Sequence, residues 1–272
     1  MSEVSVPSVV FGLVVPPSGG DLPARVERLT KMVGEHMGVA VSRFDAPSYE
    51  ALATEVREGR VDIAWLPPIV FVRLADAVTP VASILRGGKT AYEAALVVKS
   101  DSRIRSIEGL RGIRAGWVDP WSAAGFVLPR VKLALLGVDP RPVFRTETFY
   151  GSHRAVIQAL FEGACDVAGT YARSQEDGKV TAGAWSEVEG AEVRVLATFG
   201  AIPPDVIGVR KGYSEEGHAK LLAALRAACA EESTRTILRA LFGGDQLSEG
   251  LASGYDALKS ALEMATARGL FD

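Results

Sequence analysis

The chain has 272 residues, of which 48% are hydrophobic and 23% are charged. This composition is typical of a folded protein with a sizeable core, and it excludes a disordered or fibrous chain. Thirty basic and 33 acidic residues give a formal net charge of −3 at pH 7. No basic block suited to a phosphate backbone is present, so nucleic-acid binding is not expected.

The cysteines and the opening residues limit the class of protein further. Cys165 and Cys229 are far apart and neither belongs to a Cys-x-x-Cys pair, so neither a disulfide framework nor a metal site is predicted. No apolar run is long enough to insert into a membrane. Residues 1–5 lack the pattern of a secretory signal, which favours the cytoplasm. A periplasmic or lipid-anchored chain whose signal had been removed would look the same.

Apolar runs alternate with amphipathic segments along the chain, a pattern typical of an α/β fold. A first series predicts strands over Val9–Val15, Val39–Val41 and Val61–Leu66, helices after Asp21 and over Ser48–Glu58, and further strands over Val81–Leu85 and Ala94–Val98.

A second series repeats this plan. It predicts helices over Ile107–Leu110, from Ser122, and over Ser152–Glu162, with strands over Ile113–Val118, Val143–Thr146, Asp166–Thr170, Val193–Thr198 and Val206–Arg210. Pro129 is expected to kink or restart its helix. Three final helices are predicted over Ser214–Ala230, Thr234–Leu241 and Tyr255–Arg268.

Two β-α-β-α-β series in one chain indicate two α/β lobes. We expect residues 1–90 and 200–272 to form the first lobe and residues 91–199 the second. Each lobe would hold a mixed, mostly parallel sheet with flanking helices. Hinge strands would connect the lobes, and a cleft at these crossings is where a small ligand commonly binds.

The turn after the strand Ile113–Val118 carries the strongest functional signal. Ser122 can cap a helix, and the small residues Ala123, Ala124 and Gly125 leave backbone N–H groups open to close approach. Such a helix start attracts anions. The alternative interpretation is an ordinary capped helix that packs through small residues.

Several short segments recur in a defined order and spacing. They are residues 46–49, 59–65, 91–98, 119–126, 151–153, 165–168 and 202–205. Together they resemble the substrate-binding proteins of phosphonate and phosphite ABC transporters, which have the type 2 periplasmic-binding-protein fold. The similarity runs from the first strand to about residue 210.

This resemblance implies a set of ligand-binding residues. To the residues that match the family pattern we add the aromatic residues Trp65, Trp121 and Tyr171, which lie at or beside strand ends and turns, together with Gly125 and Thr170. The set comprises Tyr49, Trp65, Tyr92, Trp121, Ser122, Ala123, Ala124, Gly125, His153, Thr170, Tyr171 and Asp205. Alternatively, these residues have structural roles only. In that case Tyr49 and His153 belong to helix faces or first turns, Tyr92 is a strand residue half in the core, Trp65 belongs to the core, and Trp121 is an exposed turn residue.

Two departures from the family pattern bear on the ligand. Ala123 and Ala124 stand where the family has hydroxyl residues that bind phosphonate oxygens, which favours a smaller or less charged anion such as a carboxylate. Arg173 stands where members that bind aminoethylphosphonate have a carboxylate, so a cationic amine would be repelled.

The resemblance implies non-catalytic binding of a small anion, phosphonate-like or carboxylate, with no cofactor and with an ABC permease or a signalling protein as partner. An alternative is a cytoplasmic enzyme of the same fold, similar to the chorismate dehydratase or the dihydroxynaphthoate synthase of the menaquinone route. Such an enzyme would act on an aromatic or cyclic carboxylate, with His153 as base or nucleophile.

Overall fold

A computed structural model of the chain describes residues 8–14, 22–88, 91–175 and 178–271. The strands are β1 (Ser8–Val14), β2 (Ala40–Ala46), β3 (Ile63–Leu66), β4 (Val78–Leu85), β5 (Tyr92–Lys99), β6 (Arg114–Trp117), β7 (Thr146–Phe149), β8 (Val167–Ser174), β9 (Val180–Gly183), β10 (Val193–Ile202), β11 (Val206–Arg210) and β12 (Gln246–Glu249).

The α-helices alternate with these strands. They are α1 (Leu22–Met37), α2 (Tyr49–Arg57), α3 (Pro68–Leu74), α4 (Leu128–Leu135), α5 (Pro140–Val143), α6 (His153–Phe161), α7 (Glu215–Ala230), α8 (Glu232–Phe242) and α9 (Tyr255–Ala267). Short 3₁₀ turns occur at Ile107–Leu110 and Ala184–Glu187, and a π-helical turn occupies Ala123–Val127.

The chain divides into two compact units. Unit 1 contains residues 1–90 and 204–255, and unit 2 contains residues 91–203 and 256–272. The sequence predicts residues 200–272 in the first lobe, but residues 200–203 and 256–272 belong to unit 2. The C-terminal end instead packs within unit 2, where the buried Arg130 donates a hydrogen bond from Nε to the carbonyl oxygen of Leu270 at 2.7 Å.

Unit 1 is built on a six-stranded sheet of order β12-β4-β11-β3-β1-β2. β1 is parallel to β2 and β3, whereas β11 is antiparallel to β3 and β4, and β12 is antiparallel to β4. An apolar stripe of α1 is buried in the core of this unit, together with apolar residues of α7 and α8. The stripe consists of Val26, Leu29, Val33 and Met37.

Unit 2 has a sheet of order β10-β5-β8-β6-β7, with β9 paired to β8. β6 is parallel to β7 and β8, and the pairs of β5 with β10, β5 with β8 and β8 with β9 are antiparallel. Both sheets are mixed, as predicted. Among the described strands, however, the antiparallel pairs outnumber the parallel ones, so the expected majority of parallel strands is not found.

Corresponding elements of the two units repeat at a constant separation along the chain. Ser48 caps α2 by accepting a hydrogen bond from the amide of Ala51, and Ser152 caps α6 by accepting one from the amide of Ala155. Gly59 and Gly163 follow these helices with positive φ angles of 73° and 77°. The repetition of the α/β plan predicted from the sequence therefore extends to individual caps and turns.

Two local predictions need correction. The predicted strand Val143–Thr146 is not formed, because Val143 ends the short helix α5 and β7 begins only at Thr146. Asp139 caps α5, since its Oδ1 accepts a hydrogen bond from the amide of Arg141 at 3.1 Å. The helix α3, which starts at Pro68, was not predicted. Residues 15–21, which include the last residue of the predicted first strand and Asp21 before the predicted helix, lie outside the described residues.

Pro129 restarts its helix, which is one of the two expected outcomes. The π-helical turn Ala123–Val127 gives way to α4 at Leu128, and Pro129 occupies the first turn of α4. A proline is tolerated there because first-turn amides lack an acceptor within their helix. None of the helices in the described ranges is long and apolar enough to cross a membrane.

Candidate functional site

The strand register brings the unit 2 candidates to one edge of its sheet. β6 and β8 are parallel, so their carboxyl ends meet at the same edge, and the antiparallel β5 begins there, with Glu93 opposite Ala172. The loops that leave this edge carry the Ser122 turn and His153, while Tyr92 and Thr170 lie on the strands themselves. Carboxyl ends of parallel strands are common ligand sites in α/β sheets.

Ser122 acts as a helix cap at this edge. Its Oγ accepts a hydrogen bond from Gly125 N at 3.0 Å, and its carbonyl oxygen accepts one from Phe126 N at 3.1 Å. The expectation that the Gly125 amide is open is therefore wrong. Ala123 and Ala124 supply the first two amides of the helix, for which the helix itself offers no acceptor.

The turn from Ser122 to Gly125 is closely packed. Ser122 is 6% exposed, Ala123 3% and Ala124 1%. A Cβ atom on Gly125 would lie 2.3 Å from Cγ2 of Val118, and one on Gly169 would lie 2.6 Å from the Trp117 ring. Gly125 therefore lets the helix start pack against Val118, and Gly169 lets it approach β8, where the added Cβ atom would also lie 2.9 Å from the carbonyl oxygen of Gly125.

Trp121 precedes this turn and is half-buried. Its backbone amide donates a hydrogen bond to Oδ1 of Asp119 at 2.7 Å. Asp119 thereby fixes the backbone of the turn between β6 and the helix.

His153 is the first residue of α6, directly after the capping Ser152. Its Nδ1 lies 3.0 Å from Oγ1 of Thr170, a residue of β8 that is fully buried. The imidazole also contacts Tyr171 edge to face, with ring centroids 5.0 Å apart. These two contacts fix the orientation of the His153 ring at the edge of the sheet.

Tyr171, which contacts His153, has two charged neighbours of its own. The Tyr171 hydroxyl donates a hydrogen bond to Oε1 of Glu187. The exposed Arg173 guanidinium lies 5.5 Å from the centre of the Tyr171 ring, a distance typical of a cation–π contact. Tyr92, half-buried at the start of β5, pairs with Ile202 of β10.

The unit 1 candidates also share one sheet edge. Tyr49 begins α2 shortly after the end of β2, and Trp65 lies near the carboxyl end of β3. Val206 is opposite Leu66 in the antiparallel pair of β11 with β3, which places the preceding Asp205 beside that end. Tyr49 and Trp65 are both half-buried.

Asp205 is buried, with 3% exposure, and forms an ion pair with Arg86. Its Oδ2 lies 2.7 Å from Nη2 of Arg86, and Nε of Arg86 donates to the carbonyl oxygen of Phe242 at 3.0 Å. Burial raises the pKa of Asp205, and the positive charge of Arg86 opposes this rise. Sequence reasoning missed Arg86 because no local motif connects residues 86 and 205.

Trp65 packs against the aromatic ring of Phe242, with centroids 4.7 Å apart. Its indole N–H is buried and makes no hydrogen bond of standard geometry with any residue in the described parts of the chain. The indole N–H nevertheless acts to lower the pKa of Asp205, because it favours the ionised carboxylate. Trp65 therefore combines an apolar contact with a donor near the ion pair.

Two curated proteins are similar in sequence to this chain. The chain is 25% identical over 218 residues to a phosphonates-binding periplasmic protein of Escherichia coli, covering 78% of this chain and 63% of the relative. It is 24% identical over 171 residues to a phosphate-import protein, PhnD, of Mycolicibacterium smegmatis, covering 58% of this chain and 53% of the relative. The matches thus span just over half to about three-fifths of these curated relatives.

The fold is also found in solved structures. A binding-protein component of an ABC phosphonate transporter from Pseudomonas aeruginosa superimposes with a TM-score of 0.80 at 22% identity, covering 97% of this chain and 88% of that one. The fold class expected from the sequence is confirmed by this likeness. The family described as "ABC transporter, phosphonate, periplasmic substrate-binding protein" matches residues 11–255. The chain therefore belongs to the family of periplasmic substrate-binding proteins of phosphonate ABC transporters.

Proposed function

We propose that this chain binds a small oxyanion of the phosphonate, phosphate or carboxylate class without chemical turnover, and presents it to an ABC permease. The observation that carries the proposal is the shared edge of the unit 2 sheet, where the Ser122 helix start and the oriented His153 ring lie together. Membership of a periplasmic substrate-binding family supports it and favours the periplasm over the cytoplasm.

The helix start supplies the principal attraction for the anion in this proposal. The amides of Ala123 and Ala124 and the positive end of the helix dipole favour negative charge. The alanine side chains add no hydroxyl donors, so backbone amides and side chains outside the turn must provide the remaining hydrogen bonds. His153 is the foremost of these donors, because its ring is held at the same edge by Thr170 and Tyr171.

Aromatic residues complete the proposed site. In unit 2 these are Tyr92 and Trp121, and each joins an apolar ring to a polar group. Such rings suit the organic part of a ligand, while hydroxyl and N–H groups suit its oxygens. Tyr49 and Trp65, which belong to unit 1, stay predicted ligand-binding residues. Asp205 of unit 1, which is paired with Arg86, likewise stays a predicted ligand-binding residue.

Isothermal titration calorimetry with inorganic phosphate, methylphosphonate and benzoate tests the proposal. We expect at least one of these probes to bind with a dissociation constant below about 100 μM and to raise the melting temperature. Absence of binding by all three at millimolar concentration would contradict the proposal.

A matched pair of serine variants tests the location of the site. Ser122 and Ser214 both cap a helix by accepting a hydrogen bond from a glycine amide at 3.0 Å. Each substitution should cost about 1 kcal/mol, with the larger loss for Ser122→Ala, because the amide it leaves without an acceptor is buried. Only Ser122→Ala should weaken binding of the best probe; equal affinities for the two variants would place the ligand elsewhere.

A further inference from the structure

A buried arginine of unit 2 connects the candidate helix start to the segment that follows α9. The turn that begins at Ala123 continues directly into α4, which carries Arg130. Nε of Arg130 donates a hydrogen bond to the carbonyl oxygen of Leu270 at 2.7 Å. We propose that Arg130 and Phe271 position the helix start for the oxyanion from behind, without touching the ligand. This inference rests on the proposed function and makes both side chains positioning residues.

A carboxylate on β7 fixes the Arg130 guanidinium at a second point. Nη1 of Arg130 forms an ion pair with Oε2 of Glu147, and the Arg130 side chain is only 4% exposed. The same Oε2 accepts a hydrogen bond from the indole N–H of the buried Trp117 at 2.7 Å. The guanidinium is therefore bound to both Glu147 and Leu270, and breaking the ion pair would leave a buried charge without its counter-ion.

Aromatic contacts connect Arg130 to the helix start itself. Phe126 lies in the first turn, where its amide donates a hydrogen bond to the carbonyl oxygen of Ser122 at 3.1 Å. The guanidinium carbon of Arg130 lies 5.2 Å from the centre of the Phe126 ring, a distance typical of a cation–π contact. The rings of Trp117 and Phe271 also contact Phe126, with centroid distances of 5.7 and 6.0 Å. Arg130 and Phe271 thus pack against the turn that carries the candidate amides.

Binding through backbone amides depends on how firmly this turn is held. Two neighbouring amides have to point at one oxyanion, and hydrogen bonds weaken steeply when their angle departs from the optimum. The backbone of the turn is tied to the end of β6 by the hydrogen bond from Val118 N to Gly125 O, which is long at 3.3 Å. The contacts of Arg130 and Phe271 with Phe126 add to this constraint. Donors held in place before the ligand arrives lose less entropy on binding, which raises affinity.

Calorimetric titration of inorganic phosphate, methylphosphonate and benzoate into the full chain tests this inference. Arg130→Met should weaken binding of the tightest probe at least about tenfold, and Phe271→Ala at least about threefold. Phe271→Tyr keeps the ring and should bind within about twofold of the wild type. Arg194→Met is the control, because Nη1 of Arg194 also donates to a backbone carbonyl oxygen of unit 2, that of Ser102 at 3.0 Å. Neither of these residues is a site candidate, so the affinity of Arg194→Met should be unchanged.

Hydrogen–deuterium exchange of the ligand-free variants separates positioning from a general loss of stability. The amides of residues 123–127 should exchange faster in Arg130→Met and Phe271→Ala than in the wild type, while the amides of α6 keep their rates.

Thermal unfolding of each variant shows whether it is folded. Should Arg130→Met not fold, the comparison of Phe271→Ala with Phe271→Tyr still decides. Unchanged affinity in either folded variant would overturn the inference, as would equal acceleration of exchange at residues 123–127 and in α6. Either result would leave oxyanion binding by the wild type intact, whereas absence of binding by all three probes to the wild type would overturn the proposed function as well.

Discussion

Asp62 and Asp166 make the same pair of hydrogen bonds in the two units. The amide of Asp62 donates to Val10 O at 3.0 Å while its Oδ2 accepts from Val10 N at 2.9 Å. The amide of Asp166 donates to Arg114 O at 2.9 Å while its Oδ2 accepts from Arg114 N at 2.9 Å. Asp62, just before β3, is thus hydrogen-bonded to the parallel strand β1, and Asp166, just before β8, to the start of the parallel strand β6. These hydrogen bonds set the register of β3, which carries Trp65, and of β8, which carries Thr170.

The carboxylate of Asp166 should stabilise unit 2 in a pH-dependent way. The Arg114 guanidinium lowers the pKa of Asp166 by hydrogen bonding, against the opposing effect of burial. The pKa of Asp166 in the folded chain therefore lies below its unfolded value of about 3.8. The ionised carboxylate stabilises the folded chain fully at pH values above the unfolded pKa, and this stabilisation is lost as the pH falls through the folded pKa. Asp166→Asn should therefore lower the unfolding free energy by about 1–3 kcal/mol at pH 7 and by less at pH 3.

Urea denaturation at the two pH values measures this difference. Asp76→Asn is the control, because Asp76 pairs with Arg57 at 3.2 Å on the surface with 70% of its side chain exposed, where such pairs contribute little. An equal loss for Asp166→Asn at pH 7 and pH 3 would show that the carboxylate charge does not stabilise this register.

The repeated plan is the part of the fold that local sequence signals specify. The caps Ser48 and Ser152, the following apolar stripes and the terminal Gly59 and Gly163 all lie within short segments. Such signals need no knowledge of distant residues. For this reason the sequence predicts α2 and α6 to within a residue of their observed starts.

Elements that depend on competing signals were less predictable. The apolar run at the start of α3 resembles a buried strand, and only Pro68 at its first position indicates a helix. At α5, Asp139 and Pro140 outweigh the β propensity of Val143. The direction of β11 follows from its pairing with β3 and β4, which periodicity alone does not encode.

The candidate site shows the same division. Ser122 and His153 follow local helix-start patterns and could be placed from the sequence at the same sheet edge. The pairing of Arg86 with Asp205 joins residues 119 positions apart, so only the folded chain shows it. The closure of the Gly125 amide follows from the cap predicted at Ser122, because a capping side chain accepts a hydrogen bond from the second or third amide of its helix.

Gly169 should be intolerant of even one added methyl group. A Cβ atom there would lie 2.6 Å from the Trp117 ring and 2.9 Å from the carbonyl oxygen of Gly125. Gly169→Ala should lower the unfolding free energy by about 1–3 kcal/mol through overpacking, and it should weaken binding by displacing the helix start.

Gly109→Ala provides the comparison for this steric prediction, since its Cβ atom would meet Ile104 at 3.3 Å. Chemical denaturation and titration of the best probe measure stability and affinity for both variants. A Gly169→Ala chain as stable as Gly109→Ala would contradict the close approach of the helix start to β8.

The two cysteines should be unreactive while the chain is folded. Burial raises the pKa of the Cys165 thiol to about 12 and that of Cys229 to about 11. Thiolates are the reactive species, and little thiolate forms at pH 8 with such values. Iodoacetamide should therefore modify both cysteines slowly in buffer and rapidly in 6 M guanidinium chloride, as measured by intact-mass spectrometry.

Rapid modification of either thiol under native conditions would show that its surroundings are more open than the structure indicates. Adding the best oxyanion probe should slow any modification that proceeds through unfolding, because a bound ligand stabilises the folded chain. The thiols thereby report on unfolding and on its suppression by the ligand.

Thr170 should support ligand binding through His153 rather than by stabilising the fold. Removing the imidazole in His153→Ala deletes a donor to the proposed oxyanion, and a hydrogen bond to a charged group contributes about 1.5–3 kcal/mol. Affinity for the best probe should therefore fall at least about tenfold. Thr170→Val removes only the contact of 3.0 Å to Nδ1, so its loss of affinity should be smaller, and Thr170→Ser should restore binding.

Thr30→Val is the matched control, because Thr30 is also buried but its hydroxyl contacts carbonyl oxygens within α1. The two valine variants should lose similar stability, whereas only Thr170→Val should reduce affinity. The imidazole ¹⁵N chemical shifts of His153 should also change in Thr170→Val and return in Thr170→Ser, because the hydroxyl contact at Nδ1 governs the tautomer. Unchanged shifts together with unchanged affinity would mean that α6 alone positions the ring and that Thr170 merely fills the core.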